Sequence, residues 1–284
     1  MSERIGVRKT YKLYIGGAFP RSESGRSYVV NDAKGRFLAN ASQASRKDVR
    51  DAVVAARKAF GGWSSRTAYN RGQILYRIAE MLEGRRAQFV EELRAAGAAK
   101  PAAAAEVDAA IDRWVWYAGW ADKIGAVAGN ANPVSGPFFN LSTPEPSGVV
   151  GIVAPDSALL GLVSVVAPAI VTGNTAVVVA SEPAPLPAIT LAEVLATSDL
   201  PGGVVNLLTG RRAELAPWLA SHMDVNGIDL AGAPDDAVTD LEKAAADNLK
   251  RVLRPGVADW SAEPGVERMT AFLETKTVWH PVGV

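Results

Sequence analysis

Few residues in this chain are suited to covalent chemistry. It contains no cysteine, and its two histidines, His222 and His280, show no spacing signature of a catalytic or metal site. A cysteine thiolate is the side chain that attacks a carbonyl most readily near neutral pH, and zinc sites depend on thiolates and histidines. Ser157 is a candidate nucleophile, but the sequence shows no recognisable base for it. We therefore predict no metal site and no ready-made nucleophile.

A second set of residues is suited to binding rather than to bond making. Glu182 follows a predicted strand, where it serves either a ligand or, more commonly, only the solvent. Arg211 and Arg212 follow Gly210 at a strand-to-helix turn, where the first amides of a helix can help to hold an anion. A solvated basic turn is the simpler interpretation of that pair. Gly232 permits a close approach of the backbone to another group.

Alternating strands and helices position these residues. Five apolar segments are predicted to be strands: 148–154, 175–180, 204–208, 228–231 and 251–253. The helices predicted between them cover 160–171, 188–196, 213–222 and 237–248. Strands that are buried on both faces and alternate with helices indicate an α/β fold with a Rossmann-like, doubly wound parallel sheet. Such a sheet binds ligands at the carboxyl ends of its strands.

The residues before this sheet are predicted to be mainly helical. Segment 11–19 is predicted to be a short edge strand or hairpin. A capping box formed by Ser45 and Asp48 begins the first long helix, and we predict that the Gly61-Gly62 pair ends it. A second helix should stop near Gly84. The alanine-rich stretch that follows has the composition of a linker, but its apolar positions favour one ordered helix.

Several segments, in their order and spacing, resemble the NAD(P)-dependent aldehyde dehydrogenases, and the similarity runs from Tyr11 to Val252. The matching segments are Leu13-Tyr-Ile-Gly-Gly17, Lys100-Pro101, Pro146-Ser-Gly-Val-Val-Gly-Ile-Val-Ala-Pro155, Gly173-Asn-Thr175, Leu200-Pro-Gly-Gly-Val-Val-Asn206 and Thr209-Gly210. No single segment is decisive, but the ordered set is specific. The chain is identified as a member of that family, in which a cysteine attacks the aldehyde and hydride passes to the cofactor.

The departures from the family pattern concern its catalytic and cofactor residues. The resemblance implies that Ser157 replaces an asparagine whose amide donates to the oxyanion, a loss that typically costs about a hundredfold in rate. In the family a lysine and a glutamate bind the adenosine ribose. Val179 replaces that lysine, whereas the glutamate is retained as Glu182. Glu182, Gly210 and Gly232 are therefore predicted to be vestigial cofactor contacts. No cofactor is certain, and at most weak NAD(P) binding is implied.

The resemblance breaks off after Val252, where the family's catalytic domain with its thiol would follow. The end of the chain nevertheless resembles the family's terminal strand, which belongs to an oligomerisation sheet. We predict four parts: a helical part of the cofactor domain (1–128), an oligomerisation hairpin (129–147), the Rossmann-like cofactor domain (148–254), and a linker with an oligomerisation tail (255–284). The residues predicted to serve assembly are Phe138, Phe139, Lys276, Val278 and Trp279.

Composition limits the range of partners and locations. The 30 basic and 30 acidic residues cancel, so that no bulk charge would attract nucleic acid or an anionic membrane surface. No apolar run reaches the roughly 20 residues that span a bilayer, and no signal peptide is recognisable in residues 1–10. The absence of both disulfides and a signal favours the cytoplasm.

Three functions remain open at this stage. The favoured hypothesis is a catalytically inactive subunit that assembles with a full-length aldehyde dehydrogenase and supports or regulates it. The alternative is a stand-alone NAD(P)-binding module that forms a homo-oligomer. An active oxidoreductase with a different nucleophile is less favoured, and a decaying gene product is disfavoured because helix caps and strand patterns are intact.

Overall fold

The computed structural model describes residues 9–256 and 259–283. Residues 1–8, where no signal peptide is expected, lie outside this range, as do three positions of the predicted linker and tail. The elements before the central sheet are a hairpin of β1 (Ser27–Asn31) and β2 (Phe37–Ser42) and five helices. The helices are α1 (Arg46–Ser64), α2 (Ala68–Glu83), α3 (Arg86–Ala95), α4 (Lys100–Trp120) and α5 (Ile124–Ala128).

Helix α1 confirms its predicted start and corrects its predicted end. The Ser45 side chain accepts from the Asp48 backbone N–H, and the Asp48 carboxylate accepts from the Ser45 N–H at 2.8 Å. The helix does not stop at Gly61-Gly62 but continues to Ser64. The reason is Trp63, which is fully buried and donates from Nε1 to the Ile170 carbonyl at 2.8 Å. Burial of an indole outweighs the roughly 1 kcal/mol per residue by which glycine weakens a helix.

Helix α2 ends at a Gly84 cap, as predicted. The alanine-rich stretch is helical, but the long helix α4 begins only at Lys100, after a turn at Gly97 with φ of +117°. Helix α4 turns Val107 and Trp114 into the core and leaves Val115 exposed. Segment 11–19 forms no continuous strand but the predicted hairpin, in which Ile15 and Ala18 exchange two backbone hydrogen bonds of 3.0 Å. The β1–β2 hairpin and α3 were not anticipated.

A second, separate sheet follows α5 in the chain. Its strands β3 (Asn130–Asn132) and β4 (Phe138–Pro146) are antiparallel neighbours. The chain then enters the central sheet, whose strands are β5 (Val149–Val153), β6 (Thr175–Val179), β7 (Val205–Leu208), β8 (Gly227–Asp229) and β9 (Arg251–Leu253). The helices between these strands are α6 (Leu160–Val171), α7 (Leu186–Ala196), α8 (Arg212–Ser221) and α9 (Asp235–Ala246).

The central sheet has the order β7-β6-β5-β8-β9, and all of its strands are parallel. This confirms the predicted α/β fold with a Rossmann-like doubly wound sheet. Every residue of β5 and β6 is buried, as expected for strands covered on both faces. The predicted strand 228–231 is shorter than expected, because Leu230 and Ala231 already leave the sheet. None of the described helices combines the length and the apolar character needed to cross a lipid bilayer.

The end of the chain returns to the second sheet. After the short helix α10 (Glu267–Thr270), strand β10 (Leu273–Pro281) pairs antiparallel with β4 along its whole length and gives the order β10-β4-β3. A strand in the tail was predicted, and residues 274–281 are exposed as expected. We call β3, β4 and β10 the three-stranded sheet. Its role in oligomerisation and the predicted domain limits stay predictions.

Residues 259–272, which precede β10, fold back onto the core. Met269 and Phe272 are buried there. The Arg113 guanidinium of α4 donates to the carbonyl oxygens of Trp260 and Ala262, each at 2.9 Å. This segment therefore covers apolar surface of the same chain that would otherwise face solvent.

One buried ion pair ties this segment to the central sheet. The carboxylate of Asp229, at the end of β8, pairs with the Arg268 guanidinium and accepts from the Ala231 N–H at 2.9 Å. Burial raises the pKa of Asp229 to about 6, since loss of solvation outweighs the favourable field of Arg268. Sequence inspection did not identify this residue as ionisable within the core.

We expect Asp229→Asn to alter the pH dependence of stability. The pKa of Asp229 is higher in the folded than in the unfolded chain, so its stabilising contribution is full below about pH 4 and is lost as the pH rises through about 6. Across that interval the stability of the variant relative to the parent should rise by up to about 1.4 kcal/mol per pH unit. Urea unfolding at several pH values measures this difference. Parallel stability curves for the two chains would contradict a raised pKa.

Candidate functional site

A cleft opens at the carboxyl ends of β5, β6 and β8, where the fold predicts a ligand site. Its volume is about 490 Å³, and it is lined by Pro155, Asp156, Glu182, Arg212, Ala213, Ala231, Gly232, Ala233 and Pro234. A neighbouring depression of about 430 Å³ shares Glu182 and Arg212 and extends to β1. The structure thus brings together Glu182, Arg212 and Gly232, which sequence analysis had singled out separately.

The Glu182 carboxylate already accepts hydrogen bonds from groups of its own chain. One carboxylate oxygen accepts from Arg211 Nη1 at 2.6 Å, and the other accepts from the Arg212 backbone N–H at 3.0 Å. Partial burial works to raise the pKa of Glu182, but these hydrogen bonds and charges outweigh it and hold the pKa below its usual value. Because Arg212 is the first residue of α8, the carboxylate also caps that helix, where a negative charge is favourable.

The Arg212 side chain reaches across the mouth of the cleft from α8 towards β5. Its Nη2 donates to the Ala154 carbonyl at 3.0 Å and forms an ion pair with Asp156. Asp156 also accepts from the Ser181 hydroxyl at 3.1 Å. Arg211 lies over the Tyr28 ring, 5.4 Å from its centroid. Both arginines are therefore engaged by protein groups. The structure gives no support to the hypothesis that this turn holds an anion.

The two predicted cofactor glycines also have structural partners within the chain. The Gly232 N–H donates to the Val153 carbonyl at 2.8 Å, and a β-carbon at that position would lie 1.9 Å from the Ala154 carbonyl oxygen. The close approach that Gly232 permits is thus made by the end of β5. A β-carbon at Gly210 would lie 3.1 Å from the Ala44 backbone nitrogen. Contact of either glycine with a cofactor stays a prediction.

Ser157 lies in the loop that leads into α6 and acts there as a capping residue. Its hydroxyl accepts from the Gly161 N–H at 2.9 Å and is 3.4 Å from Glu106 Oε1. The same Glu106 oxygen accepts from the N–H groups of Leu159 and Leu160, each at 3.2 Å. Helix α4 thus supplies a carboxylate to the start of α6. Neither histidine is a hydrogen-bond partner of Ser157 among the described residues.

Glu106 was not recognisable as a site residue from the sequence. It stands in an alanine-rich helix, about fifty positions before the amides that it accepts from, and nothing in its local sequence separates it from a solvated helix residue. Only the packing of α4 beside α6 brings the two together. The sequence contains only an indirect sign of this contact. Leu159, just before α6, cannot cap a helix with its side chain, so an acceptor had to come from elsewhere.

The cleft does not fit a dinucleotide in the way that Rossmann-like sites do. Such sites present free helix amides and the positive end of a helix dipole to the phosphates. Here the first amide of α8 is bonded to Glu182, and α9 begins with the exposed acidic pair Asp235 and Asp236. Asp156 adds a further exposed acid at the cleft. These charges oppose a diphosphate instead of attracting it.

Comparisons with known proteins agree with the fold and the chain order of these elements. The sequence matches the aldehyde dehydrogenase family over residues 19–254. It is 35% identical over 249 residues to cytosolic aldehyde dehydrogenase 1 of Elephantulus edwardii, which covers 85% of this chain and 49% of the relative. To human retinal dehydrogenase 2 it is 34% identical over 251 residues, covering 86% of this chain and 48% of that protein.

A solved structure gives the same result for the fold. The NAD+ complex of aldehyde dehydrogenase from Bacillus cereus matches with a TM-score of 0.82 and 28% identity, over 86% of this chain and 50% of that chain. The doubly wound sheet therefore has the NAD-binding fold of this class of proteins, although its cleft carries acidic side chains. The chain belongs to the aldehyde dehydrogenase family. It spans about half the length of the relatives that it matches.

We expect Glu106→Ala to destabilise the chain more than Ser157→Ala. The first change leaves two buried backbone N–H groups without their charged acceptor and should cost about 2–3 kcal/mol of unfolding free energy. The second removes one capping hydrogen bond and should cost about 1 kcal/mol. Chemical denaturation measures both. Asp108→Ala, on an exposed position of the same helix, is the control and should stay within about 1 kcal/mol. An unchanged midpoint for Glu106→Ala would contradict the capping role.

Proposed function

We propose that this chain is a catalytically inactive subunit of the aldehyde dehydrogenase family that assembles with a full-length aldehyde dehydrogenase. One observation carries the proposal: the side chains at the family's oxyanion and ribose positions serve the chain's own helices, while the separate three-stranded sheet is complete and exposed. The structural features that the chain retains would then serve assembly, not chemistry. The whole enzyme's activity and substrate would belong to the partner.

Three features support the lack of catalysis. The chain has no cysteine, so the family's nucleophile has no counterpart in it. The Ser157 hydroxyl caps α6, and within the described part of the chain no histidine bonds to it as the base that activates a serine would. The Ser157 side chain is also shorter than the asparagine amide that the family pattern has there, so it does not replace that donor.

The proposal includes at most weak NAD(P) binding. Glu182 retains the family's carboxylate, but binding a ribose would require it to exchange its bonds to Arg211 and Arg212. The lysine position is occupied by Val179, which is fully buried in β6. The proposed place of action is the cytoplasm, in line with the cytosolic relative named above.

The three-stranded sheet supports assembly through its exposed apolar side chains. Phe138, Phe139, Val278 and Trp279 are between 43% and 58% exposed. The rings of Phe138 and Trp279 meet edge to face with centroids 5.8 Å apart, and Lys276 pairs with Glu145 at 3.0 Å. Large side chains that are already held in place lose little conformational freedom on binding, so they are suited to an interface.

A second candidate is a stand-alone NAD(P)-binding module that forms a homo-oligomer. The retained carboxylate of Glu182 and the open cleft at the strand ends favour it. Titration with NADH and NADPH, followed by fluorescence and calorimetry, separates the two candidates. A dissociation constant near the micromolar range would favour the module, and the absence of saturation at millimolar cofactor would favour the inactive subunit. An active oxidoreductase with another nucleophile is the third and least supported candidate.

We expect the purified chain to oxidise no aldehyde with either NAD or NADP, because it lacks a thiol nucleophile. Absorbance at the reduced-nicotinamide band, with a panel of aliphatic and aromatic aldehydes, measures this. A co-purified full-length enzyme is the contaminant to exclude by mass spectrometry. Turnover that disappears in Ser157→Ala would overturn the proposal and favour the active oxidoreductase.

We expect Trp279→Asp to release this chain from its complex with a full-length aldehyde dehydrogenase without unfolding it. An aspartate at the interface would be desolvated without a counter-charge, whereas in the free chain it would face water. Co-expression followed by native mass spectrometry measures the complex, and circular dichroism reports the fold. Tyr69→Asp is the matched control, since Tyr69 is 67% exposed on α2, away from the three-stranded sheet. If Trp279→Asp unfolds the chain, the tail belongs to its core and the assembly argument fails.

A further inference from the structure

A second cavity, of about 620 Å³, lies between the start of α1 and the end of α8. We call it the α1–α8 groove. The cleft described above opens at the other end of α8, where Arg212 and Ala213 line it. A cavity of this volume is large enough for a small organic molecule. Its lining combines apolar with basic side chains: Val49, Trp218 and Met223 on the one hand, Arg46, Lys47 and Arg50 on the other.

Arg46 is held in the α1–α8 groove by an aromatic ring and not by an acid. Its guanidinium carbon lies 4.1 Å from the centroid of the Trp218 ring. This contact holds the guanidinium in place but supplies no oxygen acceptor for its five N–H groups. Among residues 9–256 and 259–283, no carboxylate and no carbonyl oxygen accepts from the Arg46 side chain. Arg46 therefore presents a positioned positive charge that the described part of the chain does not neutralise.

The other basic side chains of the groove have acidic partners. Lys47 Nζ pairs with Glu23 at 3.0 Å, and Arg50 pairs with Asp51 at 2.8 Å. Asp48, the acid of the capping box, is buried and does not line the groove. The charges of the described lining residues therefore balance except for the guanidinium over the indole. This excess positive charge is complementary to an anion.

His222 adds a neutral hydrogen-bond donor at the end of α8. Its Nδ1 accepts from the Asp224 N–H at 3.2 Å, which places the proton of the neutral ring on Nε2. Partial burial lowers the pKa of His222 below its usual value, while the charges of Asp224 and Lys250 act in opposite directions. The ring is therefore neutral at pH 7, and the charge of the groove comes from Arg46.

We propose that the α1–α8 groove binds a small aromatic carboxylate, with the carboxylate on Arg46 and the aromatic ring against Trp218 and Met223. A guanidinium offers a carboxylate two parallel N–H donors, and both an indole and a thioether make favourable contacts with aromatic rings. Trp218 is 38% exposed and Met223 is 66% exposed, so both have apolar surface that a ring would cover. The uncompensated charge selects an acid over a neutral or cationic compound.

This site belongs to the isolated chain and does not depend on an aldehyde dehydrogenase partner. It also uses neither the cleft at the strand ends nor the three-stranded sheet. Failure of the chain to bind an enzyme or a nicotinamide cofactor would leave the groove untouched. Failure of the groove to bind an aromatic acid would leave the inactive-subunit proposal untouched, so the two proposals fail separately.

Calorimetric titration with 2-naphthoate tests the class of compound. The parent chain should bind one equivalent with a dissociation constant at or below about 1 mM, as expected for a compound of that size. The amide 2-naphthamide has the same rings without the charge, and cyclohexanecarboxylate has the charge without an aromatic ring. Each should bind about tenfold more weakly or worse. Equal affinity for either control compound, or no saturation by about 10 mM 2-naphthoate, would overturn the proposal.

Arg46→Gln tests the location of the site. It removes the guanidinium from an exposed position, so the chain should stay folded while the affinity for 2-naphthoate falls about tenfold or more. Arg94→Gln is the matched control and should change nothing. Arg94 is likewise exposed and without an acidic partner in the described chain, but it lies on α3 and does not line the groove. The same loss in both variants, or a loss in neither, would contradict the role of Arg46.

The indole N–H resonance of Trp218 reports whether the rings of 2-naphthoate reach the groove. The chain has seven tryptophans, and the signal that is missing from Trp218→Phe assigns this one. In the parent chain its chemical shift should change with the same dissociation constant that calorimetry gives. In Arg46→Gln the same change should need about ten times more 2-naphthoate. Shifts that are confined to other tryptophans would place the binding elsewhere and overturn the proposal.

Discussion

The need to satisfy the first backbone N–H groups of each helix governs the cleft of this protein. Helices of a doubly wound sheet begin at the carboxyl ends of the strands, and their free amides and dipoles make that edge attractive to anions. In this chain the amides at the start of α6 bond to Glu106, and the first amide of α8 bonds to Glu182. Helix α9 begins with Asp235 and Asp236. The edge that could hold a phosphate thus has its own negative charges.

This arrangement links stability to the charged groups that line the cleft. A carboxylate at a helix start is a persistent acceptor, present whether or not a ligand is bound, and it removes the cost of an uncapped buried helix end. Arg211 and Arg212 form ion pairs with Glu182 and Asp156, so their charges neutralise these acids instead of a ligand. A cleft at the carboxyl ends of the strands follows from the fold itself. Its chemistry follows from the side chains that occupy it.

Two further regions pack beside the central sheet or stand apart from it, in a chain that spans about half the length of the relatives that it matches. Residues 259–272 cover the core next to β8 with Met269 and Phe272 and are held there by Arg113 and by the Asp229–Arg268 pair. The three-stranded sheet is separate from the central sheet and exposes the aromatic side chains of Phe138, Phe139 and Trp279. The core next to β8 is thus covered by the chain itself, whereas the three-stranded sheet leaves large apolar side chains exposed.

The parallel sheet could be predicted from sequence because strands buried on both faces are apolar throughout, and this pattern survives in β5 and β6 without knowledge of their neighbours. The start of α1 was predictable for a similar reason, since a capping box is local. The cleft was not predictable in this sense: Glu182 and Gly232 could be named, but not what they bond to. Glu106 bonds to α6 from α4, a helix that is far away in the sequence but packs beside it. Trp63 extends α1 through two glycines because it packs against α6. Local propensity therefore determined the position of the central strands and the start of α1, whereas long-range packing decided where α1 ends and which polar groups meet.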